Sequence, residues 1–467
     1  MKLSKLLFLL LLTTLTACTL PVVPEAPVVD PGATLHLYLQ PLPQEARALT
    51  LTISALDART ADGRDVPLLN EPLRLSTAEL PDRQVKLATV NLPVGQYQGL
   101  LLAISRATLE TDEGGIDLLI DPQQQLLEEN FRIDRDQATT LFLELRSERL
   151  VIGGYLLGAR FSLWKAQPPL PELKGLASHP QTGTLTLFEK TTPAVISVRV
   201  AGNRPTGLAL DQEARNVYLA LTGEDSIARF DLVQERVARK LRLRPGDAPE
   251  ELALSADRQT LVVTNPGSSS VSLVDTASLT ERQRQQFTTR PASVFTGSRN
   301  DRAYVLLPEA NALAVIDLDR GTLRARADFP ETPLRGRVAG DGQSLYLLTE
   351  DAPDLLIVDA ESLTVDSRIF IGYGATCLAV NPAGGMVYVG RDSGEVAIVD
   401  PQVGLPIDSI RVGEPVIAIV PDREENSLFV ATGTSRQVRK YDLVSKRLLA
   451  TLEPDAASYQ LAVMGEN

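Results

Sequence analysis

Few side chains of this 467-residue chain are of the types that carry out catalysis. The chain has two histidines, His36 and His179, and neither lies in the repeated region from residue 183 onward. A Ser-His-Asp triad, a Cys-His pair and a histidine-ligated zinc site each need an imidazole, so these sites are disfavoured in that region. His36 is predicted to be an ordinary strand residue and His179 a solvated loop residue. No glycine pattern of a nucleotide-binding loop occurs, and no cofactor or metal ion is expected.

The two cysteines have different predicted roles. Cys18 ends the segment MKLSKLLFLLLLTTLTAC, in which Lys2 and Lys5 precede a short apolar run. This pattern is typical of a secretory signal and is too short for a spanning helix. The tetrad LTAC resembles the bacterial lipobox, which implies cleavage before Cys18 and lipid attachment to its sulfur. The alternative is an ordinary signal peptide with a chance cysteine. If Cys18 is lipidated, Cys377 has no disulfide partner; it is predicted to be a small buried hydrophobe.

Residues 1–17 are therefore predicted to be a lipoprotein signal peptide. Residues 18–32 are predicted to be a stiff tether, because they contain four prolines and no periodic apolar face. The lipid on Cys18 would hold the protein in the cell envelope. Thr19 stands where an aspartate would resemble an inner-membrane retention signal, which favours the outer membrane, on its periplasmic or surface face. The net charge of −13 opposes nucleic acid as a partner.

One carboxylate returns along the chain at nearly constant spacing. Aspartates that end apolar runs such as VSLVD and VAIVD lie 41 to 44 residues apart, at Asp231, Asp275, Asp317, Asp359, Asp400 and Asp442. A second apolar run precedes each of these runs, and a run led by proline or glycine lies upstream again. Four short strands in a unit of about 42 residues predict the blades of a β-propeller.

The repeats carry a family resemblance. The segment LVVTNPGSSSVSLVDTASL is similar to the YVTN family of bacterial β-propeller repeats, and the likeness extends over residues 183–467. The repeats differ from WD40 proteins because they contain no Trp-Asp pair, and Trp164, the only tryptophan, precedes them. The resemblance implies a fold and says almost nothing about activity.

The ends of the repeated region predict how the ring closes. Six complete units run from residue 205 to residue 456, and fragments of a seventh lie on both sides. Residues 457–463 match the first strand of a blade, and residues 184–203 match its third and fourth strands. Joining them leaves no free sheet edge. We therefore expect residues 183–467 to form a seven-bladed propeller whose closing blade has three strands.

The region before the repeats is predicted to be a second all-β unit. Residues 33–165 contain strand-like runs separated by turns rich in proline, glycine and aspartate, which favours an antiparallel β-sandwich of Ig-like or transthyretin-like size. The pattern LPVGQY at residues 92–97 resembles the turn and strand of prealbumin-like modules. Residues 166–182, which are rich in proline, are predicted to be a linker. The expected fold class is thus all-β, with a sandwich followed by a propeller.

Loops at one face of a propeller surround its central channel. The side chains expected at this mouth carry mixed charges or an aromatic ring, and they are Arg204, Glu250, Arg290, Arg335, Tyr373 and Glu414. Such a set is a plausible surface for a ligand or partner. The alternative is that these are the solvated loop residues of any propeller.

Two classes of function remain open. In the first, the protein is a lipid-anchored, non-enzymatic scaffold whose propeller face binds another envelope protein or a peptide. In the second, it is a propeller hydrolase or lactonase, with calcium held by carboxylates such as Glu350, Asp351 and Asp354. These carboxylates lack the alternation of a calcium loop. A catalytic propeller also needs a base with a converging electrophile or metal ion, and no such pair can be nominated, so the first class is favoured.

Overall fold

A computed structural model describes residues 33–42, 49–76, 80, 83–111, 114–121, 124–146, 151–153, 155–158, 160–165, 170–299, 301–350, 352–381 and 385–465. The predictions for residues 1–32, including Cys18, lie outside these residues. The described chain is built almost entirely of β-strands, with short 3-10 helices at Pro171–Leu173, Thr222–Glu224, Pro266–Ser268 and Pro308–Ala310. Over the same residues, no helix has the length and apolar character needed to cross a membrane.

The N-terminal unit has two main sheets. Its strands are β1 (Ala33–Leu39), β2 (Leu49–Thr60), β3 (Asp65–Pro67), β4 (Leu73–Ser76), β5 (Val85–Asn91), β6 (Gly95–Thr111), β7 (Gly114–Asp117), β8 (Gln124–Ile133), β9 (Gln137–Arg146), β10 (Val151–Ile152), β11 (Leu156–Leu157) and β12 (Arg160–Trp164). One sheet has the order β12-β9-β1-β5, and the other has the order β3-β2-β6-β7, with β4 beside β2 and β8 beside β6. Strands β10 and β11 form a separate pair. Strand β1 runs parallel to β9, so the expectation of a wholly antiparallel unit was wrong for this pair.

Strand β1 is buried on both of its faces. Leu35 and Leu37 point into the apolar core between the two sheets. Tyr38, which points the other way, belongs to a second core shared with the repeated region. Because side chains alternate across a strand, the second face of the sheet is available for packing against another domain. This position explains why the intervening residue His36 is only 1% exposed.

The repeated region forms seven four-stranded antiparallel sheets. The closing sheet begins with β13 (Lys174–His179), β14 (Thr184–Glu189) and β15 (Ala194–Val200). The first complete sheet consists of β16 (Pro205–Asp211), β17 (Asn216–Leu221), β18 (Ser226–Asp231) and β19 (Arg236–Arg242). The second consists of β20 (Leu252–Leu254), β21 (Thr260–Asn265), β22 (Ser270–Asp275) and β23 (Thr280–Gln286). The third consists of β24 (Ser293–Thr296), β25 (Arg302–Leu307), β26 (Ala312–Asp317) and β27 (Thr322–Asp328). The fourth consists of β28 (Pro333–Val338), β29 (Ser344–Thr349), β30 (Asp354–Asp359) and β31 (Val365–Phe370). The fifth consists of β32 (Ala375–Val380), β33 (Val387–Arg391), β34 (Glu395–Asp400) and β35 (Leu405–Arg411). The sixth consists of β36 (Val416–Asp422), β37 (Ser427–Thr432), β38 (Val438–Asp442) and β39 (Leu448–Leu452). Strand β40 (Leu461–Val463) completes the closing sheet.

The first strands of the complete sheets contact one another in succession. Strand β16 contacts β20, and the series continues through β24, β28 and β32 to β36. Strand β36 contacts β40, which in turn contacts β16. The innermost strands therefore form a closed ring, the arrangement of a β-propeller, and the ends of the region meet in one sheet.

The closing sheet has four strands, one more than expected. Its order is β15-β14-β13-β40, and β40 pairs with β13 through residues 175–177 and 461–463. Strand β13 lies within residues 166–182, which the proline content had suggested were a linker. The prolines lie before and after the run GLASH at residues 175–179, which supplies the pairing edge for β40. His179 is accordingly a fully buried strand residue and not a solvated loop residue.

The periodic aspartates cap the turn that follows the third strand. In five of the six units, one carboxylate oxygen accepts hydrogen bonds from the backbone N–H groups two and three residues later, as Asp231 does from Val233 and Gln234 at 2.8 and 2.9 Å. Asp275 accepts both the N–H and the hydroxyl of Ser278. Aspartate is favoured in turns because its short side chain can make these bonds. The strongest repeat in the sequence therefore marks a structural turn and not a functional group.

The N-terminal unit packs on the outer strand of the closing sheet. Tyr38, Phe142 and Trp164 form a chain of ring contacts, with centroids 6.0 and 5.0 Å apart. They share a core with Val195 and Val198 of β15. An outer strand leaves backbone groups without partners, and the N-terminal unit satisfies several of them.

Two side chains of the N-terminal unit bond to the backbone of β15. The Gln84 amide accepts the N–H of Val195 at 2.9 Å and donates to its carbonyl at 3.3 Å. The Thr140 hydroxyl accepts the N–H of Val198 at 2.9 Å. These bonds cover the edge of the closing sheet as a further strand would.

Candidate functional site

One end of the repeated region carries a cavity of about 320 Å³ beside the central channel. It is lined by residues at this end of the closing sheet and of the first three complete sheets, namely Pro180, Arg204, Thr206, Thr222, Ala248, Glu250, Pro266, Gly267, Arg290 and Tyr459. The volume is near the lower end of the range for small-ligand pockets. Three of the six residues expected at the mouth, Arg204, Glu250 and Arg290, meet in this one cavity.

The backbone around the cavity is held in place by bonds between neighbouring sheets. Arg204 has the left-handed φ of 53°, and its carbonyl accepts the N–H of Thr222 at 3.1 Å. The carbonyl of Glu250 accepts the N–H of Gly207 at 2.9 Å. A Cβ at Gly207 would lie 2.5 Å from that carbonyl oxygen, so glycine is required for this close approach. The loops that present the charged side chains are thereby fixed to the ring.

Glu250 is joined to the C-terminal segment. The hydroxyl of Tyr459 donates a hydrogen bond of 3.1 Å to Oε1 of Glu250. Burial, reinforced by Glu251 and Glu250, raises the pKa of Tyr459 far above its usual range, so the phenol stays a neutral donor. No hydrogen bond to Oε2 of Glu250 is found within the described chain, which leaves that oxygen available to a ligand.

The two threonines of the cavity are occupied with the backbone. Thr206 donates to the carbonyl of Glu250 at 2.9 Å, and Thr222 donates to that of Pro249 at 2.6 Å. The two hydroxyl oxygens also lie 2.8 Å apart. These hydroxyl groups brace the loops, so their hydrogens are not free for a ligand. The polar side chains that remain available to bind a ligand are those of Glu250, Tyr459 and the two arginines.

Arg335 lies deeper, within β28, where it faces a carboxylate that the sequence reasoning did not nominate. Its guanidinium is 4.0 Å from Glu251, and the two side chains are 31% and 13% exposed. Burial raises the pKa of Glu251, and Arg335 and Arg337 oppose that rise. Burial tends to lower the pKa of Arg335, but Glu251 and other neighbours outweigh it and raise this pKa. The opposite charges of Glu251 and Arg335 thus stabilise each other.

The other two expected mouth residues do not line the cavity. Glu414 accepts the N–H and hydroxyl of Ser435 at 2.6 and 2.7 Å and is paired with Arg439, so it braces a loop. Tyr373, just before β32, is 67% exposed. It lies two residues before its inner strand, whereas Arg204 lies one residue before β16, and its sheet is on the far side of the ring.

Tyr459, Thr206, Thr222 and Glu251 were missed from sequence. Tyr459 could have been found, because it lies just before the inner strand β40, where the other mouth residues precede theirs. Its pairing with Glu250 joins positions 209 residues apart, and no local pattern reports such a distance.

The alternative sites contribute little chemistry. No group of three or more His, Cys, Asp or Glu side chains is placed to hold a metal ion within the described residues, and Asp351 lies outside them. Cys377 is buried, and burial raises the pKa of its thiol to about 11. A thiol with so high a pKa is a poor nucleophile.

Comparisons with known proteins bear on the fold. A scan against protein-family models finds no match, and a search among curated proteins finds none either. Solved structures do match. A functionally unknown protein from Desulfotomaculum acetoxidans shares 14% identity at a TM-score of 0.56, covering 63% of this chain and 99% of that chain. Dihydro-heme d1 dehydrogenase NirN shares 16% identity at a TM-score of 0.50, covering 62% and 65%. The Cps50 (Swd1) β-propeller domain from Myceliophteria thermophila shares 14% identity at 0.49, covering 54% and 87%.

Of these, dihydro-heme d1 dehydrogenase NirN is a β-propeller protein, and the likeness to it supports an all-β propeller fold for this chain. At identities this low it concerns the fold alone, because one fold hosts many unrelated functions.

Proposed function

We propose that this protein is a lipid-anchored, non-enzymatic binding module of the cell envelope that holds a protein or peptide partner at the mouth of its propeller. Cys18 carries the lipid, and residues 18–32 are the tether from the outer membrane, on its periplasmic or surface face. The seven sheets are seven blades of YVTN type. The N-terminal unit is a β-sandwich of prealbumin-like or Ig-like kind.

The charge left unmatched at the mouth is the observation that carries this proposal. Glu251 and Arg335 face each other, and Glu414 is paired with Arg439. Arg204 has no ion pair within the described chain. The guanidinium of Arg290 lies 4.0 Å from the exposed Glu309, which also accepts the backbone N–H of Arg290 at 3.4 Å. Exposed charges that lack strong partners and converge on a cavity are suited to recognising a charged ligand.

The joint between the two units supports a scaffold. Arg83 pairs with Glu453 at 2.9 Å, and Lys86 donates to the carbonyl of Asp455 at 2.6 Å. Together with the shared aromatic core, these contacts hold the two units against each other. A partner bound at the mouth would then be linked through the N-terminal unit to the tether.

The alternative is a propeller hydrolase or lactonase. Such an enzyme needs a base with a converging electrophile or metal ion. Glu250 is the one carboxylate among the described residues that line the cavity, and it already accepts the Tyr459 hydroxyl. The cavity is therefore better equipped for binding than for hydrolysis.

Photocrosslinking in intact envelopes tests the proposal. A photoreactive phenylalanine analogue replaces Tyr373, which is exposed at the mouth end of the ring. The control replaces Val444, which is 77% exposed and follows β38 at the opposite end of its sheet. We expect a discrete crosslinked partner from position 373 and none of the same mass from position 444. Equal patterns from both positions, or no product from position 373, would contradict binding at the mouth.

The anchor is tested separately. Cys18→Ser should leave unprocessed precursor or protein that no longer fractionates with lipid-modified membranes. A Cys18→Ser protein that is still processed and acylated would refute the lipoprotein assignment.

A further inference from the structure

The mouth cavity has an excess of positive charge at its rim and one carboxylate inside. Arg204 and Arg290 are both exposed, whereas Glu250 is partly buried and holds one oxygen free. The protein as a whole is acidic, with a net charge of −13. Exposed charges interact over about 8 Å at physiological salt, so a bound anion would respond to these two arginines more than to the distant acidic surface.

We propose that the cavity binds an acidic side chain of an extended peptide, which deepens the proposed function and rests on it. The carboxylate of the peptide lies with the guanidinium groups of Arg204 and Arg290. A backbone N–H next to that residue donates to Oε2 of Glu250, whose other oxygen is held by Tyr459.

Glu250 decides which kind of anion fits. A phosphate group carries up to two negative charges and few hydrogen atoms to donate, so it would meet a carboxylate that repels it. A peptide bears a single negative charge on its Asp or Glu side chain and a donor on the adjoining backbone, which suits one carboxylate beside two guanidinium groups. Arginine is also well shaped for carboxylates, because it can offer two parallel N–H donors.

The residues that line the cavity are also suited to binding a peptide. Pro180, Ala248, Pro266 and Gly267 give the cavity an apolar lining without bulky side chains. The threonine hydroxyls are already bonded to backbone carbonyls, so no further donors compete for the ligand. A volume of about 320 Å³ suits one side chain with its flanking backbone and not a folded domain.

The test pans a display library of randomised linear heptapeptides on the purified full-length protein. We expect the enriched peptides to share an Asp or Glu at one position. Changing that residue to Asn or Gln should weaken binding about tenfold or more, because the neutral amide loses the charge-assisted hydrogen bonds to the two guanidinium groups. The variant Arg204→Gln with Arg290→Gln should lose the peptides to a similar extent. Arg239→Gln, on the exposed outer strand β19, should keep them.

Several results would overturn the inference. Enrichment of peptides without a carboxylate, equal binding by the double variant, or failure to enrich any peptide would each do so. Displacement of the peptide by inorganic phosphate at millimolar concentration, sensitive to the same double variant, would assign the cavity to phosphate instead. The crosslink from position 373 does not depend on these outcomes. If a partner is crosslinked at position 373 but the library yields no acidic peptides, the proposed function stands and only the acidic-peptide chemistry of the cavity is rejected.

Discussion

The imidazole of His36 lies 3.2 Å from the carboxylate of Asp455, and the two side chains are 1% and 2% exposed. His36 belongs to the first strand of the N-terminal unit, and Asp455 belongs to the segment between the last two strands of the ring. Thr184 donates to the other oxygen of Asp455 at 2.8 Å. Burial alone would raise the pKa of Asp455. The hydrogen bond and charge of His36, with the threonine donors, outweigh burial and hold this pKa well below its usual range. The joint between the units is therefore built around a buried carboxylate.

The second histidine borders the same cluster and predicts a pH dependence. Burial lowers the pKa of His179 to about 4, although Asp455 opposes the shift. In the unfolded chain a histidine titrates near 6.5. Between these values the unfolded state binds a proton that the folded state does not, so the free energy of unfolding rises with pH. We expect a loss of about 3 kcal/mol from pH 7 to pH 4, measured by urea denaturation.

Other charged groups near His179 set the limits of this window. Lys86 and His36 also act to lower the pKa of His179. Asp455 keeps its contribution to stability above about pH 5 and loses it progressively below that value, so it acts only at the acidic end of the window. His179→Gln should flatten the slope between pH 6.5 and 4. A slope unchanged by this substitution would reject the assignment to His179.

The bond between Gln84 and β15 predicts a stability effect. Gln84→Ala leaves the N–H and carbonyl of Val195 buried without partners, which costs about 1–3 kcal/mol for each unsatisfied group. The matched control is Gln98→Ala, because Gln98 is an exposed glutamine of the same unit that donates to one carbonyl at 3.1 Å. We expect urea denaturation to show a clear loss for Gln84→Ala and less than 1 kcal/mol, by order of magnitude, for the control. Equal losses would show that the edge of the closing sheet does not depend on Gln84.

Closure of the ring predicts a global effect of a short truncation. Deleting residues 457–467 removes β40 and exposes the edge of β13. It also removes Gln460, whose amide accepts the N–H of Leu208 at 2.7 Å and donates to its carbonyl at 3.2 Å. Two open edges should lower the melting temperature of the whole ring and favour self-association. Gln460→Ala, which keeps the strand, should cost far less. A truncated monomer that melts like the wild type would mean that β40 does not close the ring.

A chelator separates the two classes of function. We expect EDTA, and calcium added back, to leave the melting temperature unchanged, because a bound ion would stabilise the folded state by mass action. If calcium does raise the melting temperature, the variants Glu350→Gln and Asp354→Asn show whether these carboxylates are its ligands. Loss of the rise in these variants would identify them as ligands. Calcium stabilisation that is lost in these variants, with no partner crosslinked at the mouth, would favour the enzyme over the binding module.

The sequence by itself determined the repeat and its turns. Aspartate caps a turn through bonds to residues only two and three positions away, so the signal lies within a few consecutive letters, as at Asp359. Alternating and continuous apolar runs likewise identify strands locally. The ends of the third strands at the periodic aspartates and the innermost place of residues 461–463 followed from these patterns. Three of the six expected mouth residues also meet in one cavity, because equivalent positions in equivalent loops reach the same face.

Only the tertiary structure decided what lies across the ring and between the units. Strand β13 exists because β40 and β14 pair with both of its edges, whereas the prolines on either side of it had indicated a linker. His36, His179 and Asp455 come together only when the N-terminal unit docks on the closing sheet. Glu250 and Tyr459, 209 residues apart, meet because the ring closes between β40 and β16. Such contacts depend on the free energy of packing distant segments, which local residue patterns do not encode.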